Sequence, residues 1–398
     1  MTTVEQSIRF DLTDPRLLAD PYPAFARLRA AGGLATAGPG QWVVSRHADI
    51  TALLRDSRLE KNFPEEYYRF SVGGDPELSG FLAGMNLGHR NRLASRVLVK
   101  ALRPGLVRQL EDHMVQLIDE LLEPAAQRGH LDIVDDLALP FPMMVICELL
   151  GIPPAERSEV WPRAATLVAA FSDVAFQAEK DVAAAVEALR WLRAYLGDRL
   201  RARDGDDLLS RMRDTEDGGE RLTGAEIVDN AITVFYAGFE TSMGVVSNGV
   251  VELLRHPDQL ARLRADPGLV PSALEEILRY EAPIQVTMRS PTEPLTIAGH
   301  RIRPGRVLYL LLGSANRDEE RFDAPDRFDV GRDPNPHLSF GGGLFHCLGA
   351  ALARAEGRAV LNRILARHIE FAFDSEPVRR PRFNFRSYER IPVTIRMG

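Results

Sequence analysis

The stretch Phe340-Gly-Gly-Gly-Leu-Phe-His-Cys-Leu-Gly349 places Cys347, one of two cysteines among 398 residues, at the end of a glycine-rich turn. Glycine lets a backbone close tightly around one side chain, whereas three consecutive glycines make a poor core element. A helical stretch from Gly349 onward supplies outward-facing N–H groups, which favour a thiolate over a thiol. The pattern therefore indicates that the turn holds Cys347 against a ligand that the backbone approaches closely.

The second cysteine has different surroundings. Cys147 lies in Met143-Met-Val-Ile-Cys-Glu-Leu-Leu150, an apolar helical stretch that contains no glycine turn. An isolated cysteine is most often a small buried hydrophobic residue, and Cys147 fits that description. Two cysteines in such different contexts argue against a disulfide framework, so we expect a reducing, cytoplasmic environment.

The composition excludes several classes of protein. With 45% apolar and 26% charged residues the chain is an ordinary globular protein, neither disordered nor fibrous. A formal net charge of −7 gives no basic excess for binding DNA or RNA. The amino terminus has no features of a signal peptide, and no apolar stretch reaches the roughly 18 residues of a membrane span. We expect neither a nucleic acid nor a membrane as a partner.

Helical periodicity dominates the middle of the chain, from about residue 89 to about residue 282. Short β-like runs cluster toward both ends, such as Gln41-Trp-Val-Val44 and Arg306-Val-Leu-Tyr-Leu-Leu311. No fixed-period repeat and no Ser/Gly linker divides the sequence. The pattern predicts a mainly α protein with small β-sheets, folded as one large domain over residues 1–398.

The clearest helix begins at Thr223, where Thr223 and Glu226 form a capping box, and ends before His256-Pro257. It should be about 50 Å long. Its middle is poorly suited to a helix, because Gly238 costs about 1 kcal/mol relative to alanine. The Thr241 hydroxyl can also bond back to the carbonyl of Ala237, so we expect a local distortion there. A carboxylate buried at Glu240 must be paired or must carry protons, because burial of an isolated charge is costly.

A second helix is predicted from Ser272 to Tyr280, with Ser272 and Glu275 at capping-box spacing. Glu276 and Arg279 are three residues apart in it and therefore face each other. An exposed pair of this kind contributes little stability. The pair becomes structural if a further base, for which Arg327 is the candidate, completes a network.

Taken together, these residues resemble those of the bacterial soluble cytochromes P-450, which are haem-thiolate monooxygenases. The resemblance covers nearly the whole chain and rests on five motifs in the family's order. They are Phe340-x-x-Gly343-x-x-x-Cys347-x-Gly349, Ala237-Gly-Phe-Glu-Thr241, Glu276-x-x-Arg279, Ala315-Asn-Arg-Asp318 and Pro325-Asp-Arg-Phe328. It implies a single cytochrome P-450 fold in which a long central helix crosses the molecule, with haem b as the cofactor.

The resemblance also implies roles for individual residues. Cys347 would be the axial ligand of the haem iron. Glu240 and Thr241 would be the catalytic pair, in which the hydroxyl holds O2 and an ordered water and the carboxylate relays protons. Further cofactor-binding positions in the matched motifs are Phe340, Ala237 and Gly349. Structural positions behind the haem loop are Glu276, Arg279 and Arg327.

Cations are required for the haem propionates, and Arg289 stands where the family places one of them. His89, Arg92 and Arg96 share a helix face at spacings of three and seven residues, and bases there would bind the other propionate. The family's His-x-x-x-Arg pattern is not kept, because Leu93 stands four residues after His89.

The cysteine loop departs from the family two residues before Cys347. A histidine or arginine that reaches a propionate is usual there, whereas this chain has Phe345. Loss of one charge-assisted hydrogen bond costs about 1.5–3 kcal/mol of haem binding. We expect the bases of the helix near residue 90, or His337, to take over this contact.

The family's substrate contacts fall on segments of this chain that are rich in apolar and aromatic residues, which predicts a bulky apolar or aromatic substrate from secondary metabolism. Aromatic residues at these positions are equally compatible with a core role. The candidate pocket residues are Phe63, Tyr67, Tyr68, Phe81, Met85, Phe171, Phe176, Ile232, Phe235, Ile284, Val286 and Tyr388.

No flavin or iron–sulfur signature is present, so the electrons should come from a separate ferredoxin or flavodoxin with its reductase. We expect a monomer that uses O2 as co-substrate. We predict that the electron donor docks on a cationic face formed by Arg92, Arg96, Arg103 and Arg354. The alternative is that these arginines are a solvated surface without a partner protein.

Hydroxylation is the expected reaction within this family. Epoxidation, aryl coupling and desaturation use the same oxidant and stay open as alternatives. A haem-binding or sensing protein without turnover would not need the Glu240-Thr241 pair, and a peroxide-driven enzyme often lacks part of it. A haem-free helical scaffold is the most distant alternative.

Overall fold

A computed structural model describes residues 9–12, 14–85, 88–102, 104–171, 181–202 and 205–397, without the side chains of residues 70, 71, 88–91 and 104. Within these ranges α-helices predominate. In chain order they are α1 (Pro15–Ala19), α2 (Tyr22–Ala30), α3 (His47–Arg55), α4 (Glu65–Ser71), α5 (Pro76–Gly84), α6 (Gly88–Ala101), α7 (Pro104–Arg128), α8 (Pro140–Leu149), α9 (Arg157–Phe171), α10 (Val182–Ala202), α11 (Leu208–Asp214), α12 (Gly224–Arg255), α13 (Pro257–Ala265), α14 (Val270–Tyr280), α15 (Leu312–Ala315) and α16 (Ala350–Ala366).

The strands are short. In chain order they are β1 (Leu34–Gly38), β2 (Gln41–Val44), β3 (Leu59–Glu60), β4 (His130–Asp132), β5 (Val286–Pro291), β6 (Leu295–Ile297), β7 (His300–Ile302), β8 (Val307–Leu311), β9 (Glu370–Phe373), β10 (Val378–Arg379), β11 (Tyr388–Arg390) and β12 (Pro392–Arg396). The predicted class, mainly α with small β-sheets, is confirmed. None of the helices in the described ranges has both the length and the apolar character that a membrane span requires.

The chain forms two compact units, each assembled from separate segments. Unit 1 consists of the segment up to Pro64 together with Arg255–Cys347 and Arg379–Ser387. Unit 2 consists of Glu65–Leu254, Leu348–Val378 and the segment from Tyr388 onward. The expectation of one domain over the whole chain stays a prediction.

A five-stranded sheet organises unit 1, in the order β1-β2-β8-β5-β3. Strand β8 lies in its centre, parallel to β2 and antiparallel to β5, and all five residues of β8 are buried. At the edge, β3 pairs with β5 in antiparallel register, with Leu59 opposite Pro291 and Glu60 opposite Ser290. This sheet packs its apolar side chains with α3 through Ile50, Leu53 and Leu54.

The longest helix, α12, belongs to unit 2 apart from its last residue. The predicted capping box is present, since the Thr223 amide donates to Glu226 Oε2 at 2.8 Å and the Glu226 amide donates to Thr223 Oγ1 at 3.3 Å. The helix runs without interruption to Arg255, immediately before His256-Pro257. The distortion expected around Gly238 does not interrupt the helix.

Helix α14 begins at Val270, two residues before the predicted start at Ser272. The Ser272 hydroxyl donates to the carbonyls of Leu269 and Val330, at 3.0 and 2.7 Å. The predicted capping box at Ser272 is therefore wrong. Pro271, next to the first helical residue, suits a helix start, and the serine is used to hold a distant loop instead.

Candidate functional site

The turn that carries Cys347 is closed by its own backbone and pressed against α3. Gly341 and Gly343 adopt φ angles of 68° and 64°, a left-handed conformation that side chains disfavour. A Cβ atom on Gly343 would lie 2.0 Å from the carbonyl oxygen of Leu54, so only glycine fits there. The Cys347 amide donates to the Phe340 carbonyl at 2.9 Å, while the cysteine itself is exposed. The glycines thus hold a cysteine at the surface of unit 1.

Two basic side chains lie over the ring of Phe345 in this turn. The Arg289 guanidinium carbon is 4.7 Å from the ring centroid, and Lys61 Nζ is 5.6 Å from it. Arg289 is only 1% exposed, and burial lowers its pKa to about 10. The half-buried Lys61 has its pKa lowered to about 8, by burial first and then by the charge of Arg289.

Arg289 donates through Nη1 to Thr287 Oγ1 at 3.1 Å and to the Met288 carbonyl at 2.8 Å. No carboxylate of the described residues forms an ion pair with it. A buried guanidinium is costly unless an anion neutralises it. Together with the exposed thiol of Cys347, it offers the contacts that a ligand containing both a metal and an anionic group requires.

The Glu276–Arg279 pair is the core of a buried network, as predicted. Both side chains are fully excluded from solvent, and two hydrogen bonds of 2.7 and 2.8 Å join them. Arg332 adds a further base, with Nε 3.1 Å from both carboxylate oxygens of Glu276. The prediction that Arg327 would supply this base is wrong, because Arg327 contributes its backbone carbonyl, which accepts from Arg279 Nη2 at 3.1 Å.

Both ring nitrogens of His337 form hydrogen bonds with other residues of unit 1. Its Nδ1 accepts from the Ser339 amide at 3.2 Å, so Nε2 carries the proton and donates to Glu275 Oε2 at 3.0 Å. Both ring nitrogens are therefore occupied. The expectation that His337 replaces the base missing at Phe345 is corrected, since His337 has no nitrogen left to bind an anion.

The three bases predicted on α6 to bind the cofactor, His89, Arg92 and Arg96, differ in what the structure shows of them. The side chain of His89 lies outside the described residues, and Arg92 is exposed. Arg96 forms an ion pair with Asp217 at 2.5 Å, which also holds Lys100 at 2.8 Å. Arg96 thus shares one carboxylate with Lys100, and its role at the cofactor stays a prediction.

The middle of α12 carries the Glu240-Thr241 pair in unit 2. Thr241 Oγ1 donates to the Ala237 carbonyl at 2.8 Å, which confirms the expected bond. Ala237 is exposed and Thr241 is partly exposed, whereas Glu240 is buried. A Cβ atom on Gly238 would lie 2.6 Å from Ile146 Cδ1, so the glycine lets α8 approach α12 closely.

A buried acid that sequence reasoning missed lies beside this pair. The Ser242 hydroxyl, one residue after Thr241, donates to Glu356 Oε2 on α16. Glu356 is 1% exposed, its Oε1 has no hydrogen-bond partner among the described residues, and burial raises its pKa to about 8. It is therefore largely protonated near neutral pH. The available signal was the single glutamate in the alanine-rich run Ala350–Gly357, whose other charged residue is Arg354.

The predicted pocket residues fall into both units. In unit 2 Phe81 stacks on Phe171 with ring centroids 5.7 Å apart, and Phe171 meets Tyr236, which was not predicted, edge-on at 5.5 Å. Met85 and Tyr67 are half-buried, and Phe176 lies outside the described residues. Phe81 and Phe171 are buried, and the other buried members in unit 2 are Tyr68, Ile232, Phe235 and Tyr388. In unit 1 Phe63 and Val286 are buried and Ile284 is half-buried.

Comparison with known proteins gives one family. The family model Cytochrome P450 matches residues 193–267 and 268–387. The chain is 35% identical to the cytochrome P450 monooxygenase PikC of Streptomyces venezuelae, over 96% of this chain and 92% of PikC. It is 34% identical to the 6-deoxyerythronolide B hydroxylase of Saccharopolyspora erythraea, over 99% of this chain and all of that enzyme. A crystal structure of CalO2, 32% identical, superposes with a TM-score of 0.89 over 97% of this chain and 98% of CalO2.

Proposed function

The chain belongs to the cytochrome P450 family and is a P450 monooxygenase, and we propose that it hydroxylates a bulky apolar or aromatic small molecule with one oxygen atom from O2. We place this reaction in secondary metabolism, in keeping with the similarity to PikC and to the 6-deoxyerythronolide B hydroxylase. The observation that carries the proposal is the exposed Cys347 beside a buried Arg289 that has no carboxylate partner among the described residues.

The family implies a haem, and the residues of unit 1 fit that cofactor. A haem presents an iron, which a cysteine thiolate can bind, and propionate carboxylates, which need cations. Cys347 stands on a turn in which Gly343 leaves no room for a side chain against α3. We assign Cys347 as the ligand of the iron and Arg289 as the base that holds a propionate, with haem b as the form bound.

When bound, the haem supplies the activation of O2, which amino-acid side chains cannot perform. The chain itself would contribute a ligand that donates electron density and side chains that deliver protons. The Cys347 thiolate would hold the iron and raise its electron density. The Thr241 hydroxyl must release its 2.8 Å bond to the Ala237 carbonyl before it can donate to any other acceptor. Glu240 is 2% exposed, so protons must reach its carboxylate through neighbouring groups rather than from bulk solvent.

Electrons come from a separate ferredoxin or flavodoxin with its reductase in this proposal, and the enzyme acts as a monomer. Two of the predicted docking residues, Arg92 and Arg354, are exposed and half-buried respectively, whereas Arg103 lies outside the described residues. Arg96 is exposed and pairs with Asp217, which also pairs with Lys100, so these three side chains together retain a net positive charge.

The apolar character of the substrate is supported by the aromatic cluster of unit 2. The ring of Phe171 contacts the rings of Phe81 and Tyr236. Tyr236 lies on α12, the helix that also bears Glu240 and Thr241. Aromatic surface of this kind binds apolar ligands with little loss of conformational entropy. Screening hydrophobic compounds for a shift of the ferric haem from low to high spin would identify the substrate class.

The reaction is tested with the purified holoenzyme, a ferredoxin, its reductase and ¹⁸O2. We expect a product that carries one ¹⁸O atom, and Thr241→Val should lower product formation about a hundredfold while NADPH consumption continues. A product whose new oxygen comes from water would overturn the monooxygenase proposal. Oxidation without oxygen insertion would favour desaturation or aryl coupling, and haem binding without any turnover would favour a sensor.

A further inference from the structure

Strand register brings a second base next to Arg289. Strands β3 and β5 pair with Leu59 opposite Pro291 and Glu60 opposite Ser290. Lys61 directly follows β3, and Arg289 directly precedes Ser290 on β5. The pairing of the two strands therefore brings both bases to the same end of this strand pair.

Both charges are directed at one surface, the ring of Phe345. Arg289 and Lys61 lie 4.7 and 5.6 Å from its centroid. Like charges held close together repel each other, and Arg289 is in addition buried with no carboxylate partner among the described residues. An anion at this position would remove the conflict.

The phenylalanine explains why a lysine is needed there. The family usually has a histidine or arginine two residues before the cysteine, and this chain has Phe345 in its place. His337 cannot compensate, because both of its ring nitrogens are occupied, and Arg96 already pairs with Asp217. Lys61 and Arg289 both lie against the cysteine turn, over the ring of Phe345.

We propose that Lys61, together with Arg289, binds a propionate of the haem across the ring of Phe345 and replaces the base that the cysteine loop lacks. This inference rests on the proposed haem-thiolate function. Phe345 serves as an apolar wall between the two bases, and the anionic cofactor supplies the negative charge that their juxtaposition requires. The same chemistry applies to any carboxylate-bearing porphyrin.

The test measures how fast the ferric holoenzyme loses haem to an excess of apomyoglobin, followed by Soret absorbance. Lys61→Met keeps most of the length of the side chain and removes its charge, and we expect haem loss to accelerate at least about tenfold. Lys61→Arg should stay within about twofold of the parent protein. Lys100→Met is the matched control, because it removes a lysine that pairs with Asp217 in unit 2, and it should not change the rate.

Two further measurements separate a propionate contact from a merely structural role. Phe345→His in the Lys61→Met background should slow haem loss again, because it restores a base to the turn. The Fe³⁺/Fe²⁺ reduction potential should fall in Lys61→Met and not in Lys61→Arg, because a nearby positive charge favours the reduced iron. If Lys61→Met does not fold, Lys61→Gln takes its place in both experiments.

The outcomes distinguish this inference from the function on which it rests. A parent protein whose reduced carbon monoxide complex lacks the red-shifted Soret band of thiolate ligation overturns both. A parent protein that shows the band, together with unchanged haem loss and unchanged potential in Lys61→Met, overturns the role of Lys61 alone. Equal acceleration in Lys61→Met and Lys100→Met also overturns it, because the effect would then be one of general stability.

Discussion

Glu276 of unit 1 and Glu356 of unit 2 are equally buried, at 0% and 1% exposure, but their surroundings differ. Glu276 receives hydrogen bonds from Arg279, Arg332, Asn335 and the Asp329 amide. The single described donor to Glu356 is the hydroxyl of Ser242. Burial penalises a charged carboxylate in both places, but only the first site has bases that compensate. Unit 1 therefore uses its buried acid as a fixed counter-charge, whereas unit 2 holds its acid protonated.

The largest effect should come from breaking the network of unit 1. Glu276→Gln leaves Arg279 and Arg332 buried without their counter-charge, and we expect the free energy of unfolding to fall by about 3–5 kcal/mol. Urea denaturation of the holoenzyme measures this loss. The adjacent Glu275→Gln is the control, because that side chain is partly exposed and pairs with His337, and it should cost about 1 kcal/mol or less. Equal losses in the two variants would show that Glu276 contributes no more to stability than the partly exposed Glu275.

The pH dependence of the free energy of unfolding should show that Glu356, the buried acid of unit 2, is protonated in the folded protein. The folded-state pKa of Glu356, about 8, lies above the ordinary 4.5, so the folded protein retains a proton that the unfolded chain releases. The resulting stabilisation is complete below about pH 4.5 and is lost as the pH rises toward 8. This contribution amounts to on the order of 3 kcal/mol between pH 4.5 and 7. Glu356→Gln, a neutral isostere, should abolish this part of the pH dependence. An unchanged profile would mean that Glu356 is ionised in the folded protein.

The smallest effect concerns the single donor to that acid. Ser242→Ala removes one hydrogen bond and should cost about 1 kcal/mol at pH 5. The bond lowers the pKa of Glu356, so its loss should extend the fall in stability to higher pH. Ser247 offers a matched control, because it is also buried on α12 and its hydroxyl donates to the Gly244 carbonyl. Ser247→Ala should leave the pH profile unchanged, and a shift as large as that of Ser242→Ala would show that Ser242 has no special relation to Glu356.

Local signals predicted local structure well. The capping box at Thr223 and Glu226, the bond from Thr241 to the Ala237 carbonyl, and the Glu276–Arg279 contact all connect residues at most four positions apart. Their geometry follows from the helical repeat alone. The glycine-rich turn before Cys347 belongs to the same class, because positive φ angles are a property of single residues.

Predictions failed where the partner is distant in sequence. Arg332 reaches Glu276 from 56 residues away, and Arg327, which has a more favourable motif context, contributes only its carbonyl. Lys61 and Arg289 lie over the same ring of Phe345, and this placement depends on the pairing of β3 with β5, which no pattern in either short strand specifies. The bond between Ser242 and Glu356 depends on the approach of α16 to α12, and helix periodicity does not specify that approach.

The central claim is that Cys347 binds the haem iron as a thiolate, and the reduced carbon monoxide complex tests it most directly. The parent holoenzyme should show the strongly red-shifted Soret band of thiolate ligation, and a haem-loaded Cys347→Ser variant should lose it. A folded, haem-loaded parent protein without that band would contradict the account. So would a Cys347→Ser variant that retains the band, because another group would then be the ligand.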